Sequence, residues 1–238
     1  MSKQQTDKAL EAFSKLLASQ LERVERINAA GDFTDFAALE RIVIGVCGGD
    51  GIGPVICAES RRVLEHLLSD EIKAGRVEIR DIEGLTIERR ASENAAIPTE
   101  VLEELKKCHV ILKGPTTTPQ AGDKWPNIES ANVAMRKELD LFANMRPVRV
   151  PSQGIDWTFF RENTEGAYAV GSQGIHVTDD LSVDFTVTTT EGTSRIARIA
   201  FEYAKANNKN RVSVVTKANV VKATDGKFLS ICLDIAKI

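Results

Sequence analysis

The 238-residue sequence lacks the features that would indicate several specialised classes of protein. Its four cysteines match neither a disulfide framework nor a CxxC zinc motif, so we interpret them as buried thiols. Its three histidines stand far apart and suggest no metal cluster. No apolar run approaches about 18 residues, so no membrane-spanning helix is expected. What remains is the composition of an ordinary soluble globular protein, with 42% hydrophobic residues.

The chain also lacks a strong charge of either sign. Its formal net charge is −3 and its pI is about 5.8, whereas a nucleic-acid-binding protein would show a basic patch or stripe. The N-terminal residues contain no apolar signal core, and they mix acidic with basic side chains, unlike a transit peptide. These absences predict no nucleic-acid partner, no membrane association and a cytoplasmic location.

The first element indicated by the pattern is an amphipathic helix over residues 6–28, ended by Gly31 and Asp32. Its predicted buried stripe is apolar throughout and comprises Leu10, Phe13, Leu17, Leu21, Val24 and Ile27. We expect this helix to pack on the parent domain as an added element. The alternatives are a contact between subunits and a regulatory attachment.

After this helix, strands and helices alternate, which predicts an α/β fold. The predicted strands are 41–47, 77–81, 109–113, 157–160, 183–190 and 211–216. The predicted helices are 55–68, 98–107, 131–142 and 191–207, with another beginning near Lys222. Residues 171–180 are predicted to form a loop.

Residues 130–168 carry polar side chains that suit a ligand with several carboxylates. Ser130 is a candidate N-cap for a helix on which Asn132 and Arg136, four residues apart, share one face. Arg146 and Arg161 follow, and the planar guanidinium pairs with carboxylate through two parallel hydrogen bonds. The inward residues of this helix are predicted to be Met135, Leu139 and Phe142. The alternative is a surface helix with a solvated arginine.

Five motifs together resemble the β-decarboxylating dehydrogenases, the family of isocitrate and 3-isopropylmalate dehydrogenases. They are GDGIGP at 49–54, KGPTTTP at 113–119, SANVAMRKELDLFANMRPVR at 130–149, FRENTEGAY at 160–168 and VTKANVVKATDGKF at 215–228. The resemblance covers the chain from about Arg41 onwards. It implies a two-domain, isopropylmalate dehydrogenase-like α/β fold, incomplete at the C-terminus. The implied division is a helical extension (1–40), the first part of a large domain (41–145) and a small domain with a clasp region (146–238).

The resemblance also implies a chemistry and a role for individual residues. The family oxidises a 2-hydroxy acid by hydride transfer to NAD or NADP, and the resulting β-keto acid then loses carbon dioxide with the help of Mg²⁺ or Mn²⁺. Tyr168 matches the tyrosine that protonates the enol, and Lys217 matches the lysine that helps to remove the hydroxyl proton. Without the resemblance, Tyr168 would be interpreted as a half-buried core tyrosine and Lys217 as a solvated strand end. Thr116, Thr118 and Asn132 are expected near the cofactor.

The same residues indicate a substrate. Arg136, Arg146 and Arg161 match the arginines that hold the malate core common to the family's substrates. Ser130 and Asn132 resemble the pair that isocitrate enzymes use for an extra carboxylate, where isopropylmalate enzymes place apolar residues. A small tricarboxylate, isocitrate, is therefore the expected substrate, with homoisocitrate and 3-isopropylmalate as alternatives.

The expected assembly is a homodimer, because the matched lysine of the family serves the partner subunit's site. Family members continue well beyond residue 238, and their metal-binding aspartates and a cofactor-gripping loop lie there. We therefore expect a truncated chain, without metal ligands of its own. The alternative function is that of an inactive fragment or of a subunit that depends on a partner, such as a complementing C-terminal chain.

Overall fold

The computed structural model describes residues 3–29, 34–120, 122–171 and 173–237. The chain folds into two compact units. We call Asp32–Asp140 the sheet unit, and Met1–Gly31 together with Leu141–Ile238 the hairpin unit. The N-terminal helix is thus grouped with residues 141–238. The division into domains at residues 40 and 145 stays a prediction.

The sheet unit is a small parallel α/β structure. Its elements are β1 (Ile42–Cys47), α2 (Gly53–Leu67), α3 (Ser69–Lys73), β2 (Val77–Asp81), α4 (Ile87–Ser92), α5 (Thr99–Lys106), β3 (Val110–Lys113) and α6 (Ala131–Glu138). β1 lies between β2 and β3 and pairs with both in parallel. This order explains why β1 is apolar along its whole length, since a central parallel strand is buried on both faces.

The core of the sheet unit joins the end of β1 to α5 and α6. Its buried residues are Cys47, Ile82, Leu85, Val101, Leu105, Ala131 and Met135. Burial raises the pKa of the Cys47 thiol to about 12, so this thiol is a packing group. The prediction that the cysteines are buried holds for three of them, while Cys108 is only half-buried.

The hairpin unit is built on a long antiparallel strand pair. Its elements are α1 (Lys3–Ala29), β4 (Ala143–Val150), β5 (Ile155–Glu162), α7 (Ala167–Val170), β6 (Ile175–Thr178), β7 (Leu181–Val183), α8 (Thr190–Ala206) and α9 (Thr224–Ile235). β4 pairs with β5 over eight residues, and β6 pairs with β7. α8 packs against β5 and α9, whereas α1 packs against β6. The α/β class is confirmed.

Two predicted strands are wrong. Residues 183–190 hold only the end of β7 and an isolated bridge at Val187, because Thr189 instead caps α8 through its hydroxyl. Residues 211–216 alternate between exposed and half-buried side chains but form no ladder with any described strand. The alternating exposure is typical of a strand, yet a strand also needs a neighbouring backbone to bond. Conversely, β6 lies inside the predicted loop 171–180, where Ser172 is outside the described residues.

The helix predicted over 131–142 ends earlier, at Glu138. Asp140 has a φ of 47°, a left-handed conformation that breaks the helical path. Met135 is buried in the sheet unit and Leu139 packs against it, as predicted. Phe142 is also buried but belongs to the hairpin unit, where the guanidinium of Arg195 lies 4.1 Å from the centre of its ring.

The buried face of α1 differs from the predicted stripe. The helix spans Lys3–Ala29, close to the predicted range, while Gly31 and Asp32 lie outside the described residues. Leu16 and Ile27 are its buried residues, and Ile27 is the one stripe member among them. Four other members of the stripe are exposed, at 41–60% of their surface: Leu10, Phe13, Leu17 and Leu21. The face of α1 that packs against the rest of the hairpin unit is therefore partly polar and includes Gln20 and Arg23. None of the helices in the described ranges is apolar enough over a sufficient length to span a membrane.

Candidate active site

The start of α6 presents the three predicted substrate-binding side chains of the sheet unit. Ser130 is the N-cap residue, but its hydroxyl makes no capping hydrogen bond. Asn132 and Arg136 lie on one face of the helix, and all three residues are half-buried. Within the described ranges, none of the three side chains forms a hydrogen bond or an ion pair. A hydroxyl, an amide and a guanidinium are thus available to a ligand beside a helix N-terminus, which favours an anion.

The threonine loop after β3 has two different kinds of hydroxyl. Thr116 is half-buried, and its hydroxyl accepts a hydrogen bond of 3.1 Å from the ammonium of Lys113. Thr118 is exposed. Burial lowers the pKa of Lys113, which also donates to the carbonyl of Gly114 at 2.7 Å. Thr118 is therefore the freer of the two predicted cofactor-binding threonines, and Thr116 is engaged within the loop.

The GDGIGP turn fixes this loop by close backbone contact. Gly49 has a φ of 71°, a conformation that favours glycine. The carboxylate of Asp50 accepts hydrogen bonds from the backbone N–H of Thr117 and of Ile87, both at 2.7 Å. A Cβ on Gly114 would meet the carbonyl oxygen of Gly48. The motif thus acts as a support for the loop and for the start of α4.

A further positioning residue, Arg90, was missed by the sequence reasoning. Its side chain is completely buried, and it donates to the carbonyls of Ala96, Thr117 and Glu129 at 2.7, 2.8 and 3.0 Å. Burial lowers the pKa of its guanidinium. One side chain therefore joins the threonine loop to the residue preceding Ser130. No local signal distinguishes Arg90 from its neighbour Arg89, which forms exposed ion pairs.

The hairpin unit holds the other predicted site residues. In the β4–β5 register, Asn144 pairs with Arg161 and Arg146 with Phe159. Cross-strand partners share a face, so Arg146 and Arg161 are diagonal neighbours on one face of the hairpin. Arg146 is exposed and donates to the side chain of Asn144 at 2.9 Å. Two guanidinium groups on one face suit a ligand that has more than one carboxylate.

Arg161 and Tyr168 are in direct contact. The guanidinium of Arg161 lies 4.6 Å from the centre of the Tyr168 ring, a cation–π arrangement. Tyr168 is on the short helix α7 and is 41% exposed, so it is not fully buried. Its catalytic role stays a prediction.

Lys217 lies at the start of a turn leading to α9. Its backbone N–H donates to the carboxylate of Asp225 at 2.7 Å, and its side chain is exposed. Its carbonyl accepts from the N–H groups of Val220 and Val221. These hydrogen bonds hold the turn in place, whereas the Lys217 ammonium group forms no ion pair or hydrogen bond with any described residue.

The predicted site residues fall into both units. Ser130, Asn132, Arg136 and the threonines belong to the sheet unit, whereas Arg146, Arg161, Tyr168 and Lys217 belong to the hairpin unit. Within the sheet unit, Asn132 and Arg136 share a face of α6, and within the hairpin unit Arg161 contacts Tyr168. No described contact joins Lys217 to Arg161 or Tyr168. A cavity of about 680 Å³ in the hairpin unit is a separate feature, since its lining of β5, α8 and residues 209–215 includes none of the predicted site residues. The described residues contain no group of three or more His, Cys, Asp or Glu side chains that could hold a metal ion. This part of the chain therefore does not fit a metal site.

Comparison with known proteins identifies the family of the chain. Residues 43–237 match the profile of the isocitrate/isopropylmalate dehydrogenase family. The chain belongs to this family. The match begins after α1, as the five motifs predicted.

Named relatives fall into several classes. NAD isocitrate dehydrogenase regulatory subunit 1 of Arabidopsis thaliana, a mitochondrial protein, is 36% identical over 197 residues, covering 79% of this chain and 48% of the relative. NADP isocitrate dehydrogenase of Staphylococcus epidermidis is 34% identical, covering 79% and 51%. Homoisocitrate dehydrogenase of Methanocaldococcus jannaschii is 34% identical, covering 81% and 56%.

A solved structure agrees with the family's fold. The crystal structure of isocitrate dehydrogenase from Methylococcus capsulatus matches with a TM-score of 0.66 and 30% identity, covering 82% of this chain and 57% of that one. The predicted isopropylmalate dehydrogenase-like fold is confirmed. The chain spans about half the length of the curated relatives it matches.

Proposed function

We propose that this chain takes part in the NAD- or NADP-linked oxidative decarboxylation of isocitrate. The observation that carries the proposal is the start of α6, where Ser130 and Asn132 have side chains without partners among the described residues, and Asn132 lies one helical turn from Arg136. A polar pocket that hydrogen-bonds its ligand rejects an apolar analogue strongly, because the polar groups would then remain unpaired. Isocitrate has the additional carboxylate for this pair, whereas 3-isopropylmalate has an isopropyl group there.

The other residues take the roles that the resemblance to the family implies. Arg136, Arg146 and Arg161 hold carboxylates. NAD or NADP, when bound, would supply the acceptor for the hydride from the carbon that bears the substrate hydroxyl. Lys217 takes the hydroxyl proton, and after loss of carbon dioxide the hydroxyl of Tyr168 donates a proton to the enol carbon. Lys217 would serve the site of the second subunit in a homodimer.

Binding measurements test the substrate. We expect isocitrate to bind more tightly than 3-isopropylmalate, with the dissociation constants measured by calorimetry. Loss of one hydrogen bond to a carboxylate costs about 1.5–3 kcal/mol, so Ser130→Ala and Asn132→Ala should each weaken isocitrate binding by roughly 10- to 100-fold. Glu138→Ala, at an exposed position on the same helix, is the control and should change nothing. Equal binding of both ligands would refute the isocitrate assignment, and preference for homoisocitrate would support that alternative.

A second candidate function is that of a subunit dependent on a partner. The names of two relatives favour it, since regulatory subunits 1 and 3 of the NAD isocitrate dehydrogenase of Arabidopsis thaliana are each 36% identical to this chain. A turnover assay with NAD or NADP and with Mg²⁺ or Mn²⁺ separates the two. Turnover by the chain alone would support an enzyme. Isocitrate binding without turnover would support the dependent subunit.

A further inference from the structure

The N-terminal helix α1 lies outside the matched family region, which begins at residue 43. It nevertheless contacts the turn that joins Arg161 to Tyr168. Arg23 donates to the carboxylate of Glu165 at 3.3 Å and to the hydroxyl of Thr164 at 3.5 Å. Gln20 donates to the carbonyl of Ala169, beside Tyr168, at 3.5 Å. Side chains of α1 therefore hydrogen-bond both to the turn that precedes Tyr168 and to Ala169, which follows it.

The turn contains an unusual concentration of buried polar groups. Asn163, Thr164 and Glu165 are each at most 7% exposed. Glu165 also accepts hydrogen bonds from the backbone N–H and the hydroxyl of Thr189. The carboxylate of Glu162 accepts from the N–H and the hydroxyl of Thr164. The two carboxylates are bonded, whereas the buried Oδ1 of Asn163 and Nη1 of Arg23 have no hydrogen-bond partner among the described residues.

Two buried carboxylates lie three residues apart, and two arginines oppose them. Burial raises the pKa of Glu162, with a further contribution from the charge of Glu165. Arg195 lies 3.8 Å from Glu162, and Arg23 forms the ion pair with Glu165, with 14% and 6% of the two side chains exposed. Breaking a buried pair by removing one member leaves the other charge uncompensated. The cation facing Glu165 thus comes from a segment outside the family match.

We propose that α1 is a positioning element of the candidate active site, and that Arg23, acting through Glu165, sets the contact between Arg161 and Tyr168. The inference depends on the proposed function for the roles of Arg161 and Tyr168. Arg23 is a positioning residue and not a catalytic one, because it reaches the turn and not the ligand-binding groups.

The apolar contacts of α1 separate the effect of Arg23 on the turn from the docking of the helix. Leu16 and Ile27 are buried, and the Phe13 and Phe185 rings lie 5.2 Å apart between centres. These apolar contacts do not involve Arg23. Replacement of Arg23 alone should therefore leave the helix docked and alter only the turn.

Fluorine NMR of protein labelled with 3-fluorotyrosine tests the proposal directly. The chain has two tyrosines, Tyr168 and Tyr203, so it gives two resonances that Tyr203→Phe assigns. We expect Arg23→Gln to shift the Tyr168 resonance by more than its linewidth and to leave the Tyr203 resonance in place. Arg23→Lys should give a smaller shift. Arg26→Gln, at an exposed position on the same helix, is the matched control and should shift neither.

A double-mutant comparison tests whether Arg23 acts through Glu165. Glu165→Gln alone should also shift the Tyr168 resonance, and adding Arg23→Gln should give much less than the sum of the two shifts. An unchanged Tyr168 resonance in Arg23→Gln would overturn the proposal, as would equal shifts of both tyrosines or fully additive shifts. These spectra are recorded without ligand. Failure of isocitrate to perturb the Tyr168 resonance in the unsubstituted chain would instead count against the proposed function.

Discussion

Replacement of Arg90 should destabilise the sheet unit. The loss of stability should be smaller for a new side chain that keeps a hydrogen-bond donor than for one that has none. The side chain is completely buried and bonds to three carbonyls at 2.7–3.0 Å. Each hydrogen bond from a charged donor contributes about 1.5–3 kcal/mol net. The cost of burying the guanidinium offsets part of the sum.

The size of the loss should depend on what replaces the guanidinium. We expect Arg90→Ala to lower the free energy of unfolding by roughly 4 kcal/mol, because it leaves three carbonyls unpaired and a cavity. Arg90→Met fills most of the volume without a donor and should cost about 3 kcal/mol. Arg90→Lys can still reach one carbonyl and should cost about 2 kcal/mol.

Urea unfolding followed by fluorescence measures these losses. The two tryptophans lie in different units, so Trp157→Phe leaves Trp125 to report on the sheet unit. Arg89→Met is the control, since the ion pairs of Arg89 are solvent-exposed and should contribute less than about 1 kcal/mol. If Arg90→Met were as stable as Arg90→Lys or more so, volume and not hydrogen bonding would explain the position, and the argument would be refuted.

Three further predictions concern packing and charge. Gly114→Ala should cost about 2 kcal/mol, because its Cβ would meet the carbonyl of Gly48; an unchanged melting temperature would contradict this. Leu16→Ala should cost about 3 kcal/mol, since Leu16 is buried, whereas Leu17→Ala, at a half-exposed position, should cost less than about 0.5 kcal/mol. Equal losses in urea unfolding would contradict the assignment of the buried face, and a larger loss for Leu17→Ala would mean that α1 docks by its other face. Burial raises the pKa of Glu162 above the ordinary value of 4.5, so the ionised carboxylate opposes folding. Its contribution is most favourable below pH 4.5 and is lost as the pH rises through the folded pKa. The chain should therefore lose stability relative to Glu162→Gln as the pH rises, and a difference that is constant with pH in urea unfolding would refute the assignment.

The sequence determined the parts of the fold whose signals are local. β2 spans Val77–Asp81 as predicted, and α5 and α8 differ from the predicted ranges by one or two residues. Continuous apolar runs and the helical period do not depend on distant residues, so these elements could be read directly. The motifs identified the family in the same way. The spacing of four residues placed Asn132 and Arg136 on one helix face, and Ser130 was indicated as the N-cap of the same helix.

Only the tertiary structure decided which surfaces and charges meet. Four of the six residues in the apolar stripe of α1 are exposed, while Gln20 and Arg23 face the segment 163–169, because that segment offers buried acceptors that no local pattern reveals. Residues 211–216 have a strand's alternation, but no described strand bonds to their backbone. No local pattern distinguishes Arg89 from Arg90. Arg89 nevertheless forms solvent-exposed ion pairs, whereas Arg90 donates to three carbonyls elsewhere in the unit. A polar side chain acquires its role from partners far away in the chain, and the position of those partners is fixed only when the whole unit has packed.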